Sequence, residues 1–423
     1  VVLVAGITFL VKVVGFYKEV LVAGAYGLSE LLDTFLIATI IPSLINAIFL
    51  ESFKAVFIPS YISEEKTNDK IGSFQSVVFI ITGLASIVLI FLSFLITDFF
   101  LTDIFPDHTQ NYYSLVREQF YIIIPSVLFW GLSAVLSGIL NVNKEFRYTS
   151  FSSVFIALTT IVALFSFRDL LGQYLLAIGT LAGSIISFLY LLIIAQFRGL
   201  LKLAWPDFKN SNVRVMLKQI PAKLTSSFLT GMQVVVDQFF AAQLIIGSVS
   251  ALNYGIKLPS FAVSMLFIAI TNVLLPHFTE SVLENRQKAF RKLIRMIRTV
   301  FLSSAVVAVL GIVFSVPIIR LFFENDNFTP ENTYVVAQIQ QIILIYLPFR
   351  LVGLLLMTFL TSINKNNLMA FVSLIGILTN VVLNWILIKY FGIYGIAAAT
   401  TFVVILKSSL LFLFMLQQKK LNI

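Results

Sequence analysis

Ten charged side chains lie inside stretches that are otherwise almost wholly apolar, and they are the residues best placed to do chemistry in this chain. Lys12, Lys18 and Glu19 share the first such stretch, Glu51 and Lys54 the second, and Lys223 and Asp237 a later one. Lys257, Arg350 and Lys407 occupy one each. Six of the ten are Lys and one is Arg, against three acids, so the set carries spare positive charge. Such a set suits the binding of an anion such as phosphate or pyrophosphate, which lysine meets as a point charge with rotatable donors. A site for cations would favour acids instead.

Helical spacing refines this. Seven residues make nearly two turns, so Lys12 and Glu19 share one face of the first helix while Lys18 points about 120° away. Gly15 lies on the Lys12 side, where a missing side chain either widens a cavity or lets another helix approach. Glu51 and Lys54, three apart, can pair. Two readings stand: a structural network of Lys–Glu pairs, or a cationic cavity for an anionic ligand lined by Lys12, Lys18, Lys223, Lys257 and Arg350. The acids Glu19, Asp33, Glu51 and Asp237 are candidates for ion coupling or for salt bridges. Gly15, Pro42 and Pro259 are hinge candidates, prolines being tolerated in membrane helices where neighbours satisfy the freed carbonyls. Asn380 and Asn384, four apart, read as interhelical hydrogen bonders.

The elements that must position these residues are membrane helices. The chain has 423 residues, 59% hydrophobic and 12% charged, with a mean hydropathy of +0.98, well below the roughly 25% charge of ordinary soluble domains. A spanning helix needs about 20 apolar residues. Twelve candidates appear, at approximately 1–25, 33–59, 73–97, 114–140, 149–167, 171–196, 216–242, 249–275, 296–322, 332–361, 367–388 and 392–416. A charge near the middle of such a helix costs on the order of 3 kcal/mol. Ten facing lipid would cost more than roughly 20 kcal/mol, which few folds can offset. Most must therefore face water or one another.

The formal net charge of +9 follows topology rather than nucleic-acid binding. Even-numbered loops are basic, with Lys66 and Lys70, Lys144 and Arg147, Arg198 to Arg214, and Arg286 to Arg295. Odd-numbered loops carry Asp98, Asp103 and Asp107, or Glu324, Asp326 and Glu331. The positive-inside rule then places both termini in the cytoplasm. The segment Glu284 to Arg298 reads as an interfacial amphipathic helix. The chain opens without Met on an apolar run, so we expect a trimmed N-terminus and read no signal peptide. There is no Cys, hence no disulfide or thiolate metal site, and the two histidines, His108 and His277, suggest no metal. No HExxH, Walker A or G-x-S-x-G pattern occurs, so the chain does not read as an enzyme and implies no cofactor beyond a coupling ion (Na+, H+) or the membrane potential.

The chain is also written twice. Pro42 and Pro59 are 17 residues apart, as are Pro259 and Pro276 about 217 residues later. Asn143-Lys144 returns as Asn364-Lys365, and Gly172-Gln-Tyr174 as Gly392-Ile-Tyr394. Doubling of this kind marks transporters whose site lies between related halves. Six spans per half return the chain to its starting side, so the halves are expected to relate by a pseudo-two-fold along the membrane normal. We expect an all-α polytopic membrane protein with an N-lobe at 1–200, a cytoplasmic linker at 201–215 and a C-lobe at 216–423, working as a monomer.

Gly15-Phe-Tyr-Lys-Glu19, Ala25-Tyr-Gly27, Asp33-Thr-Phe35, Pro42, Glu51 and Val56-Phe-Ile-Pro59 resemble the start of the MurJ/MviN lipid II flippases of the MOP exporter superfamily. In the second half Gly247-Ser-Val-Ser250, Tyr254-Gly-Ile-Lys-Leu258, Leu275-Pro276 and Phe328-Thr329 agree. The resemblance implies the MOP exporter fold in a bacterial cytoplasmic membrane, with membrane lipids around it. It also implies alternating-access movement of a polyprenyl-diphosphate-linked glycan to the outer leaflet. It places family basic residues on Lys12, Lys18 and Lys257, and acids on Glu19 and Glu51. Arginine is usual at those basic positions, and lysine loses its bidentate fork. The family's basic pair in helix 2 falls on Asn46 and Ala47, the acid before the helix 8 cation falls on Ile256, and two further C-terminal helices are not in this sequence. These departures keep open a different lipid-linked glycan, such as an O-antigen or capsule unit, and more distantly a cation-coupled multidrug exporter or a non-transporting scaffold.

Overall fold

Long apolar runs without water leave the backbone no partners but its own, which is why this chain resolves almost entirely into helices. The computed structural model describes residues 2–67, 70–99, 108–269, 278, 286–363 and 365–420, and no strand occurs among them. Helical stretches overlap each of the twelve expected spans. By length and composition alone, seven helices among the described residues can cross a membrane, or up to eight if the pair Pro330–Leu344 and Leu347–Ser362, bent by 44°, is one span. The first helix, Val2–Tyr26, is not among them; every membrane-length stretch of it holds Lys12, Lys18 and Glu19.

The chain divides into two compact units, Val1–Tyr26 with Glu30–Gly231, and Gly27–Ser29 with Met232–Ile423. In the first, Leu175–Phe197 packs along Val154–Ser166 and Ser126–Val142, and Val2–Tyr26 lies against Val154–Ser166. Small residues allow the closest of these approaches: a Cβ at Gly183 would collide with the Cα of Ile156. In the second, Leu347–Ser362 packs along Asn366–Lys420 and Arg286–Val313, and Ser248–Ala269 along Pro330–Leu344. The Arg286–Val313 helix buries Ala289, Phe290 and Leu293 and leaves Arg291, Lys292 and Arg295 exposed, the amphipathic division expected there; Glu284 and Asn285 lie outside the described residues.

The written-twice character extends to backbone conformation. Gly172 and Gly392 both adopt left-handed φ, 49° and 52°, with ψ of −126° and −130°. That region suits glycine alone, and Gly392 divides the long Asn366–Lys420 stretch into two helices. Thr109 and Thr329, 220 residues apart, cap their helices alike, each side chain accepting from the N–H three residues on (Tyr112 and Asn332). The helices they start break at equivalent points, Ile124–Pro125 and Ile345–Tyr346.

The stretch expected as a linker, 201–215, is bound to the first unit. Gln75 donates to the carbonyl of Leu200 at 2.8 Å and accepts from the N–H of Lys202 at 2.8 Å. Buried Glu64 accepts from Asn210 at 2.9 Å and Asn212 at 2.7 Å. The helix Ser211–Ala242 follows, and the division between units falls inside it, after Gly231.

Candidate functional site

In the first unit the lysines of the opening helix are only loosely held. Lys18 Nζ lies 2.6 Å from Glu19 Oε1, with 22% and 16% of the two side chains exposed. Spacing placed Glu19 on the Lys12 face; the long lysine side chain instead swings round to its sequence neighbour. Lys12 is exposed and has no hydrogen bond or ion pair among the described residues. A Cβ at Gly15 would meet nothing within 4 Å, so of the two roles expected for it, open space and not close packing is what the structure shows.

Asp33 is buried at 2% exposure on Glu30–Ala38, beside Thr34, whose hydroxyl accepts from Gln119 at 3.3 Å. Pro42 is buried in Ile40–Ile45, between a break at Thr39 and a π-helical turn at Asn46–Leu50. These irregularities surround the missing proline N–H and are the usual places for a helix to bend. The side chains of Glu51 and Lys54 lie outside the described residues, and so does the pairing expected of them. Lys223 is exposed, one turn before Ser227, whose hydroxyl is 2.7 Å from that of Ser52.

In the second unit a carboxylate is enclosed. Asp237, 5% exposed, accepts on Oδ1 from Asn380 Nδ2 at 3.0 Å and Asn384 Nδ2 at 2.9 Å, and on Oδ2 from Thr400 Oγ1 at 2.7 Å. Asn380 and Asn384 therefore do what an i, i+4 pair in an apolar helix was expected to do, joining one span to another. Their own amide oxygens are buried without a partner. The carboxylate is thus held by three donors, all from neutral groups. Thr400 gave no sequence signal, because it sits in an Ala–Thr run typical of helix packing.

Lys257 is half-buried on Ser248–Ala269, two residues before the buried Pro259, through which that helix continues unbroken. Arg350 is exposed, one turn after the buried Tyr346. Of the expected site residues, then, the second unit holds Asp237, Lys257, Pro259 and Arg350, and the first unit holds the others. Among the described residues no group of three His, Asp or Glu is arranged to hold a metal.

The model of the family described as lipid II flippase MurJ matches residues 22–423. The chain belongs to the lipid II flippase MurJ family. Relatives within it include a probable lipid II flippase MurJ of Buchnera aphidicola subsp. Schizaphis graminum, 27% identical over 406 residues, covering 92% of this chain and 77% of the relative. Another, from Vibrio cholerae serotype O1, is 26% identical over 437 residues, covering 97% and 81%. Among solved structures, a lipid II flippase MurJ in an inward closed conformation superposes with a TM-score of 0.84 at 24% identity, over 99% of this chain and 88% of that one. An inward-facing MATE family multidrug resistance transporter of the MOP superfamily gives 0.82 at 12% identity, over 98% of each. At those identities the superpositions establish the fold, an all-helical MOP architecture shared by flippases and drug exporters. Membership of the MurJ family makes the chain a multi-pass membrane transporter and not an enzyme.

Proposed function

We propose that this chain translocates lipid II, the polyprenyl-diphosphate-linked precursor of peptidoglycan, from the cytoplasmic to the outer leaflet of a bacterial cytoplasmic membrane by alternating access. Both termini face the cytoplasm on this reading. The observation that carries it is the MurJ family match over residues 22–423. The residues support it physically: Lys12, exposed and without a partner among the described residues, and Lys18, held only by its neighbour, supply positive charge that a diphosphate can take up. Lys257 contributes a further cation, and Lys223 and Arg350 are available to the headgroup during its passage. Gly15, Pro42 and Pro259 serve the bending of helices between states.

The test is transfer of fluorescent lipid II across liposomes containing the purified protein. Lys12→Ala combined with Lys257→Ala should lower the rate at least about tenfold, since a charge-assisted hydrogen bond contributes roughly 1.5–3 kcal/mol. An unchanged rate sinks the proposal. Transfer of another lipid-linked glycan with lipid II left behind would favour the second reading, for which Asn46 and Ala47 in place of the family's basic pair in helix 2 speak.

Energy enters, on our proposal, as Na+ bound at Asp237. One carboxylate, one hydroxyl and two amide oxygens left unpartnered on the same asparagines are a donor set that suits a hard monovalent cation. Glu19, Asp33 and Glu51 then act in salt bridging rather than coupling. Replacing Na+ by choline should slow transfer in the wild type and leave Asp237→Asn unaffected; a proton gradient that drives transfer without Na+ would replace this assignment.

A further inference from the structure

Lys407 is a charge that the reading above does not use. It lies in the helix after Gly392, within a stretch whose length and composition suit a membrane span. Its stem crosses Gly376 of the preceding helix so closely that a Cβ there would lie 2.6 Å from Lys407 Cδ, 3.0 Å from Cγ and 3.3 Å from Cε. A glycine at that point gives the lysine a slot and fixes the path of its methylenes. The ammonium that emerges has no hydrogen bond or ion pair among the described residues.

Its electrostatic neighbour is another cation. The helix bearing Lys407 is fastened to Leu347–Ser362 one residue further on: Ser408 Oγ donates to the carbonyl of Phe349 at 2.8 Å, and a Cβ at Gly353 would lie 2.7 Å from that oxygen. Phe349 precedes Arg350, so this contact brings together the backbones that bear Lys407 and Arg350, near enough for the two charges to act on each other. Arg350 has no ion pair among the described residues either. Asp237 belongs to the same unit, but it is hydrogen-bonded to Asn380, Asn384 and Thr400 and pairs with neither cation among the described residues. Two like charges on neighbouring helices of a membrane protein repel each other and resist desolvation, so an anion that joins them lowers the cost of keeping both.

We propose that Lys407 and Arg350 form an anion-binding point within the second unit that takes a phosphate-bearing headgroup, namely the diphosphate of the lipid-linked substrate. This rests on the function proposed above. The lysine is a point charge positioned by Gly376, and the arginine provides a planar fork, so together they suit two linked phosphates better than one.

The experiment uses the full chain in detergent, titrated with farnesyl diphosphate, with farnesol as the uncharged control and phosphatidylglycerol as the phospholipid control. Variants are Lys407→Met, Lys407→Arg and Gly376→Ala, with thermal melting as a check of folding. Expected is a loss of roughly 10- to 100-fold in farnesyl diphosphate affinity for Lys407→Met, partial recovery with Lys407→Arg, and a smaller loss for Gly376→Ala, with farnesol and phosphatidylglycerol unaffected. Equal diphosphate affinity in wild type and a folded Lys407→Met overturns the proposal. So does an equal loss of phosphatidylglycerol, which would make the pair a phospholipid site. The two proposals fail separately: a wild type that binds farnesyl diphosphate through Lys407 but does not move lipid II refutes the function and leaves this site standing.

Discussion

The first helix and the Asp237 cluster face the same difficulty, charge inside a membrane protein, and meet it in opposite ways. Lys18 and Glu19 lean on each other along the chain while Lys12 is left exposed. Asp237 is closed off by neutral donors from the two helices that Gly392 separates. A charge stabilised by a local partner can exchange that partner for a ligand at little cost, whereas a carboxylate fixed by three hydrogen bonds between helices is part of the packing. The difference separates residues that handle a substrate from residues that hold, or respond through, a scaffold.

The comparison breaks most visibly at Asp237. In Asp237→Ala the donors of Asn380, Asn384 and Thr400 lose their acceptor, and a buried donor left unsatisfied costs about 1–3 kcal/mol. Melting in detergent should fall sharply, while Lys12→Ala leaves melting near the wild type. If Asp237→Ala melts like the wild type, the cluster does not brace the unit and the contrast fails.

Two glycines sharpen it at smaller scale. Gly183 sits where a Cβ would strike the backbone of Ile156 and come within 2.5 Å of Thr159 Oγ1, so Gly183→Ala should cost about 1–3 kcal/mol through overpacking. Gly15 faces open space, and Gly15→Ala should be neutral or stabilising by up to about 1 kcal/mol from helix propensity. Thermal melting of both variants checks the pair. A destabilised Gly15→Ala would mean that its face of the first helix is packed.

The fold was legible because its causes are one-dimensional. Apolar runs, basic and acidic loops, and the repeat of Gly172-Gln-Tyr174 at Gly392-Ile-Tyr394 are written along the chain, and the matching φ of the two glycines shows that the repeat preserves conformation. The charges could be listed from sequence, but their partners could not. Lys18 and Glu19 are adjacent and, by helical geometry, not facing, yet a flexible lysine closes the gap. Thr400 meets Asp237 across 163 positions, a contact no local pattern announces. Nothing in the local sequence distinguishes Gly376 from other small residues of a membrane helix; the stem of Lys407 lying across it does.

The smallest expected effect concerns the Lys18–Glu19 pair, and it bears most directly on what the first helix is for. Partly exposed pairs contribute about 0–1 kcal/mol, because water screens the attraction and two side chains lose freedom. A double-mutant cycle of Lys18→Met and Glu19→Gln, read by melting, should therefore give a coupling below about 1 kcal/mol. The same cycle read by lipid II transfer should not be symmetric: Lys18→Met removes a cation that meets the diphosphate, while Glu19→Gln frees Lys18 and leaves transfer intact or faster. A coupling of several kcal/mol with symmetric losses of transfer would instead make the pair a structural strut, and the first helix would then resemble the Asp237 cluster rather than contrast with it.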